Sequence, residues 1–223
     1  MKQFSSKLNK MKMQTVLLYL LAIIGWVTLV VRIYLKITTS GLPLIESLVQ
    51  FFSYFTIQTN LLVTIYCTIQ LLSSNQQNRT KLFLKPETLT ALTVFILMVG
   101  TVYHLVLKSL WSPEGLLMIT DEIHHTFVPL GTLALWIVST NNNLGNLKNL
   151  YSWLLYPFLY LSFVLIRGSF SGFYPYPFLN VTELGIGAVM ANSFSLLIVM
   201  SLLLLLFHSI KNYILVKIVS NNS

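Results

Sequence analysis

Long runs of apolar residues alternate along the chain with short polar connections, and no run shows the strict every-other-residue pattern of a half-buried strand. A helix rising 1.5 Å per residue needs about twenty predominantly apolar residues to cross the hydrocarbon of a bilayer. Six stretches approach or exceed that length: residues 15–35, 48–72, 88–107, 120–139, 151–167 and 183–207. Backbone groups inside lipid must be paired within their own segment or within a closed barrel, so without strand alternation the pattern predicts helices. The expected fold is all-α, a polytopic bundle of six transmembrane helices in a single domain over residues 1–223. No Gly/Ser-rich linker or low-complexity stretch divides it.

Composition narrows this to one class. The chain is 55% hydrophobic and 9% charged, with a mean hydropathy of +0.75, whereas a soluble domain carries about a quarter charged residues. The net charge of +8 follows from topology. Lys2, Lys7, Lys10, Lys12, Arg79, Lys81, Lys85, Lys148, Lys211 and Lys217 fall on one side of the predicted spans. Arg32, Lys36, Lys108 and Arg167 fall on the other, together with Glu46, Glu114, Asp121, Glu122 and Glu183. Basic residues are retained in the cytoplasm, so both termini are expected there. The lysines read as anchors that touch anionic lipid, and no nucleic acid partner is expected.

The N-terminus carries lysines ahead of an apolar run, as a secretory signal does. The run is too long, though, and Arg32 and Lys36 follow it without a small-residue cleavage pattern, which predicts an uncleaved first span. Cys67, the single cysteine, has no partner for an internal disulfide and reads as a small packing residue. Asn78-Arg79-Thr80 and Asn180-Val181-Thr182 fit the glycosylation pattern, but the first is expected in the cytoplasm and the second against the membrane. Residues 73–78 and 141–149 are polar and predict mobile cytoplasmic turns. The fifth connection, Gly168 to Asn180, holds Phe173-Tyr174-Pro175-Tyr176-Pro177-Phe178. Its prolines exclude a regular helix, and its aromatics suit either an ordered cap over the outer face or an interfacial anchor.

Polar residues are costly in a bilayer, and here they gather at the outward ends of the spans. Thr56, Gln58, Thr59 and Asn60 lie in span two; Asp121, Glu122, His124, His125 and Thr126 lie in span four. Counting inward from the span ends puts Thr56 roughly 12 Å deep and His125 roughly 8 Å deep, the same level within the uncertainty of the ends. His104, Arg167 and Glu183 join them from spans three, five and six, and the cytoplasmic half shows no comparable set. Asp121 and His125 are four apart and share a helix face. A hydroxyl, a histidine to take its proton and a carboxylate to hold the histidine are the parts of a nucleophilic hydrolase. Threonines in membrane helices also commonly bond their own backbone, and a buried His–Asp pair also serves structure.

Three segments carry a resemblance. His125-Thr126-Phe127-Val128-Pro129-Leu130 with Trp136 beyond looks like the His-x-x-x-Pro segment of a bacterial six-pass membrane family of unassigned biochemistry. Leu165-Ile166-Arg167-Gly168 followed by Gly172-Phe173-Tyr174-Pro175-Tyr176-Pro177-Phe178-Leu179 resembles that family's most distinctive stretch, and Phe52-Ser53-Tyr54-Phe55-Thr56-Ile57-Gln58-Thr59-Asn60-Leu61-Leu62 its second helix. That family is similar to the eukaryotic androgen-induced-gene proteins, multi-pass hydrolases that cleave fatty acid esters of hydroxy fatty acids with a threonine and a histidine. The resemblance implies a bacterial inner membrane, a nucleophile at Thr56, or at Thr59 in another register, and a histidine at His125. Asp121-Glu122 depart from the Asn-His-like pair of the eukaryotic proteins, so the surroundings of the histidine differ and the substrate is not inherited.

The leading expectation is an intramembrane lipid esterase without cofactor or metal, acting among membrane lipids on a lipid or amphiphilic ester. Thr56 attacks, His125 is the base and Asp121 orients it. Asn60 or His104 donates to the oxyanion, and Arg167, with Glu183 near it, binds the polar end of the substrate. A metal-dependent hydrolase would use Asp121, Glu122, His124, His125 and His104 as ligands, with the Glu122-x-x-His125 spacing of di-metal bundles. Adjacent His124 and His125 point about 100° apart, against joint ligation. A lipid-binding, sensing or transport protein would use Arg167, Glu183, Asp121 and His104 as ion pairs or a proton path.

Overall fold

The computed structural model describes residues 2–72, 83, 85–139 and 145–220, with side chains from residue 8 to residue 215. The turn at 73–78, the Asn78-Arg79-Thr80 sequon and residues 141–144 of the fourth connection lie outside the described residues. Every regular element among the described residues is a helix. The α-helices are α1 (Lys2–Thr39), α2 (Leu44–Phe52), α3 (Phe55–Leu72), α4 (Pro86–Val102), α5 (Gly115–Glu122), α6 (Val128–Val138), α7 (Leu147–Tyr151), α8 (Leu155–Ser171) and α9 (Val181–Ser220). Two π turns extend or join them, Tyr103–Leu107 after α4 and Ile123–Phe127 between α5 and α6.

Five helical segments among the described residues are long and apolar enough to cross a membrane: Leu8–Thr39, Phe55–Leu72, Pro86–Leu107, Leu147–Ser171 and Val181–Leu215. They fit an integral membrane protein, and large apolar side chains such as Ile23, Val30, Phe158, Ile166, Phe194 and Leu202 face outward along them. Two of the six predicted spans differ in form. The stretch at 48–72 is broken at Ser53-Tyr54 into α2 and α3. The stretch at 120–139 is the compound helix α5–π–α6, and Asp121, Glu122, His124 and His125 lower its hydropathy below that of the other five. The residues that draw attention to this helix are those that make it less apolar than the five candidate spans.

The core is centred on α4, where Ala91, Leu92, Val94, Phe95 and Ile96 have no exposure at all. α4 packs against α3, α6 and α9, while α1 lies along α3 and α6. The π turn at 123–127 has a local cause in Pro129. Proline has no N–H, so the carbonyl of His125 loses its usual partner one turn on, and Val128 donates instead to Ile123 in the wider π register. Gly100 lets α4 approach here, because a Cβ at that position would sit 2.8 Å from the His125 carbonyl oxygen and 3.3 Å from Pro129.

The break between α2 and α3 leaves backbone groups without helical partners. Two tyrosines from other elements take them up. Tyr160 of α8 donates its hydroxyl proton to the Ser53 carbonyl at 2.9 Å, and the Thr56 N–H donates to the Tyr176 hydroxyl at 3.1 Å. Tyr176 belongs to the fifth connection. α8 ends at Gly172, whose φ of 68° is the left-handed conformation that closes a helix. The chain then turns back through Pro175 and the short 3₁₀ turn Pro177–Leu179. Tyr176 and Leu179 are buried, so this segment packs into the bundle in addition to presenting aromatics at its rim.

Candidate functional site

Thr56 is the second residue of α3, and this placement frees its hydroxyl. Deeper threonines spend theirs on the carbonyl one turn back: Thr28 on Ile24, Thr64 on Asn60, Thr93 on Leu89 and Thr132 on Val128. At the start of α3 the chain one turn back has left the helix, and the Phe52 carbonyl there accepts instead from the Gln58 amide. The Thr56 Oγ1 lies 3.3 Å from His125 Nε2 and 3.2 Å from the Tyr176 hydroxyl.

His125 comes from the π turn that faces α3 and α4. Its Nδ1 is 2.8 Å from the Asp121 backbone carbonyl. A carbonyl only accepts, so Nδ1 carries the proton and Nε2 presents a lone pair to Thr56. Tyr103 stacks on the imidazole with centroids 3.9 Å apart and planes at 11°, which fixes the ring's tilt. The Asp121 carboxylate stands beside Nδ1 at 3.5 Å but is nearer to Arg32 of α1, at 3.2 Å. The two parts of Asp121 thus act separately: its carbonyl sets the tautomer, and its carboxylate, charge-balanced by Arg32, faces the imidazole ring.

The Thr56 hydroxyl opens onto an apolar cavity of about 90 Å³ between α3, α4, α8 and α9. Thr56, Val99, Tyr160, Tyr176, Leu196 and Met200 are among its walls. Its lining is apolar apart from the hydroxyl-bearing residues Thr56, Ser193, Tyr160 and Tyr176.

The other expected residues are engaged elsewhere. Thr59 pairs with the Tyr156 hydroxyl at 3.2 Å, so Thr56 is the threonine that meets His125. Asn60 donates its amide to the carbonyls of Thr56 and His124, at 2.8 and 3.3 Å. His104 bonds Thr126 at 2.9 Å on an exposed surface. The donors of Asn60 are thus spent on backbone, and His104 is turned to Thr126. Arg167 is ion-paired with Glu46 and lies over the Phe173 ring at 5.0 Å, with its Nη1 buried and unpartnered. Glu183 is exposed in the first turn of α9.

The ligand types named for a metal site also diverge. His124 turns to Thr28 of α1 at 3.0 Å, and Glu122 binds Lys108 and Thr126. Among the described residues no three His, Cys, Asp or Glu side chains are grouped to hold an ion.

Three contributors went unassigned in the sequence. Arg32 was counted only as an outer charge, although an arginine inside an apolar run is a site candidate in its own right. Tyr103 had the signal of lying next to His104. Tyr176 had only its place in the aromatic connection.

Fold and site together define an all-helical protein suited to a membrane, with a buried threonine–histidine pair beside an apolar cavity. Compared with family models, with curated proteins and with solved structures, the chain matches none.

Proposed function

We propose that this protein is an integral membrane lipid esterase in which Thr56 is the nucleophile and His125 the general base. The observation that carries the reading is the Thr56–His125 contact, with Nε2 as the free lone pair, at the wall of an apolar cavity. His125 takes the Thr56 proton as Oγ1 attacks the ester carbonyl, then returns it to the leaving alcohol. Water repeats the sequence to release the acid. The Arg32-balanced Asp121 carboxylate stabilises the transient imidazolium. Fatty-acid-ester-like lipids suit the cavity, and the buried Nη1 of Arg167 is a further donor for a carboxylate or phosphate at the polar end of such a substrate.

The same proposal includes the resemblance to the androgen-induced-gene hydrolases. It also includes a six-span topology in a bacterial inner membrane, with α5–π–α6 as the sixth crossing and both termini in the cytoplasm. Labelling of detergent-purified protein by a fluorophosphonate probe tests the chemistry. Wild type should label, and Thr56→Ala and His125→Ala should not while keeping their melting temperatures. Equal labelling of all three would remove the mechanism.

A second reading, a lipid-binding, sensing or transport protein, is favoured by Asn60 Oδ1, Asp121 Oδ2 and His124 Nδ1, buried acceptors that make no hydrogen bond among the described residues. It calls for proton uptake in proteoliposomes that depends on His125 and proceeds without ester.

A further inference from the structure

We infer that Tyr176 donates the oxyanion hydrogen bond during acyl transfer at Thr56, a role that rests on the esterase reading above. The phenol oxygen lies 3.2 Å from the attacking Oγ1 and 3.1 Å from the Thr56 backbone nitrogen. The backbone N–H can only donate, so it occupies an acceptor position of the phenol and leaves the phenolic proton to be given. With the Thr56 proton directed at His125 Nε2, the phenolic proton faces Oγ1 in the resting enzyme. Tyr176 and Thr56 both line the cavity, so the donor stands on the side from which an ester carbonyl arrives.

During attack the Oγ1–carbon bond forms, the carbonyl π pair moves onto the carbonyl oxygen, and the Thr56 proton passes to His125. The new anion is on an atom two bonds from Oγ1, within reach of the same phenolic proton by rotation of one hydroxyl. On collapse the pair returns to re-form the carbonyl, the carbon–alkoxy bond breaks, and His125 protonates the departing alkoxide. Water then attacks the acyl-threonine through the same sequence and restores the enzyme.

The neighbouring tyrosines are committed. Tyr160 gives its proton to the Ser53 carbonyl, and Tyr156 pairs with Thr59. Tyr176 is also rigid, stacked on Phe178 at 5.2 Å and 4° and held edge-on by Tyr54 at 5.8 Å and 88°. Preorganised donors of this kind lose no time to reorientation of the surroundings. Burial pushes the phenol's pKa up to about 12, so it keeps its proton throughout the neutral range.

The experiment is steady-state hydrolysis of a medium-chain nitrophenyl ester by the full-length protein in detergent, with Thr56→Ala as the blank. Removing one oxyanion donor costs about 10²–10³ in kcat, so Tyr176→Phe should lose about that much kcat with KM within about threefold. Affinity for an alkyl trifluoromethyl ketone, which acquires an oxyanion on binding, should fall in parallel. 4-Aminophenylalanine at position 176, a donor but a poor acceptor, should regain at least about tenfold over Phe. If Tyr176→Phe fails to fold, the amino variant decides alone: retained activity supports the role, and loss as deep as that of Thr56→Ala overturns it. Near-wild-type kcat in Tyr176→Phe would overturn the role of Tyr176 and leave the esterase reading intact. No Thr56-dependent turnover in wild type would overturn both.

Discussion

Two carboxylates are buried in this bundle almost equally, Asp121 at 2% exposure and Glu87 at 3%, and they lie at opposite ends of α4. Asp121 faces Arg32 and His125, a fixed charge and a titratable ring, with Thr56 beyond. Glu87 is the acidic residue in the first turn of α4, and its Oε1 accepts from the Asn146 backbone N–H at 2.6 Å and the Asn149 amide at 3.2 Å. These hydrogen-bond donors are neutral and come from the segment that starts α7, with the Lys211 ammonium acting on the carboxylate through space. Among the described residues each carboxylate has one oxygen without a hydrogen-bond partner, so burial and incomplete pairing do not distinguish the two environments. The difference is the company: Asp121 faces a guanidinium and an imidazole with a hydroxyl beyond, and Glu87 holds the start of α7 in place.

That contrast breaks first on activity. Thr56→Ala or His125→Ala should lower ester turnover by about 10³-fold or more, measured per folded molecule, whereas Glu87→Gln should leave it within about threefold. Equal losses at both ends would erase the distinction.

Stability gives the next largest effect. Arg32→Met strands the Asp121 carboxylate and should cost about 3–5 kcal/mol, read as a drop in denaturation midpoint in micelles. Adding Asp121→Asn should recover part of it. Glu87→Ala leaves a backbone N–H and an amide unpaired and should cost about 1–3 kcal/mol, with turnover per folded molecule unchanged. The smallest effect belongs to the half-exposed Lys108–Glu122 pair at 2.8 Å. Lys108→Ala should cost about 1 kcal/mol or less, and a larger cost would mean that this pair belongs with the buried set.

The helical class, five helices long and apolar enough to span, and the gathering of polar residues were legible because apolar run length and the cost of polar groups in lipid both act on local sequence. Thr56 and His125 were legible as neighbours through depth, which depends only on residue count from the span ends. Side-chain commitments were not. Asn60 and Thr59 occupy suitable levels, yet their donors go to Thr56, His124 and Tyr156, and such pairings depend on how helices rotate against each other. Tyr176 is 120 residues from Thr56 in sequence, and only the folded turn after Gly172 brings it back. Glu87 escaped notice because it lies next to Pro86 at a predicted helix start, where an acidic residue is ordinary.

The two π turns have a consequence for the bundle's phase. Each holds one more residue per turn than an α-helix, and a residue turns an α-helix by about 100°. The segments on the two sides of each π turn therefore follow separate angular clocks. α4 and α6 can keep a continuous apolar seam while Lys108 and α5, beyond the π turns, are rotated independently to meet other partners. Removing a single residue from either turn would reset the clock, swinging Lys108 or Glu122 away from its present bearing while that seam stayed intact. Such one-residue insertions let a membrane bundle acquire or lose a polar centre without redesigning the packing that holds it together.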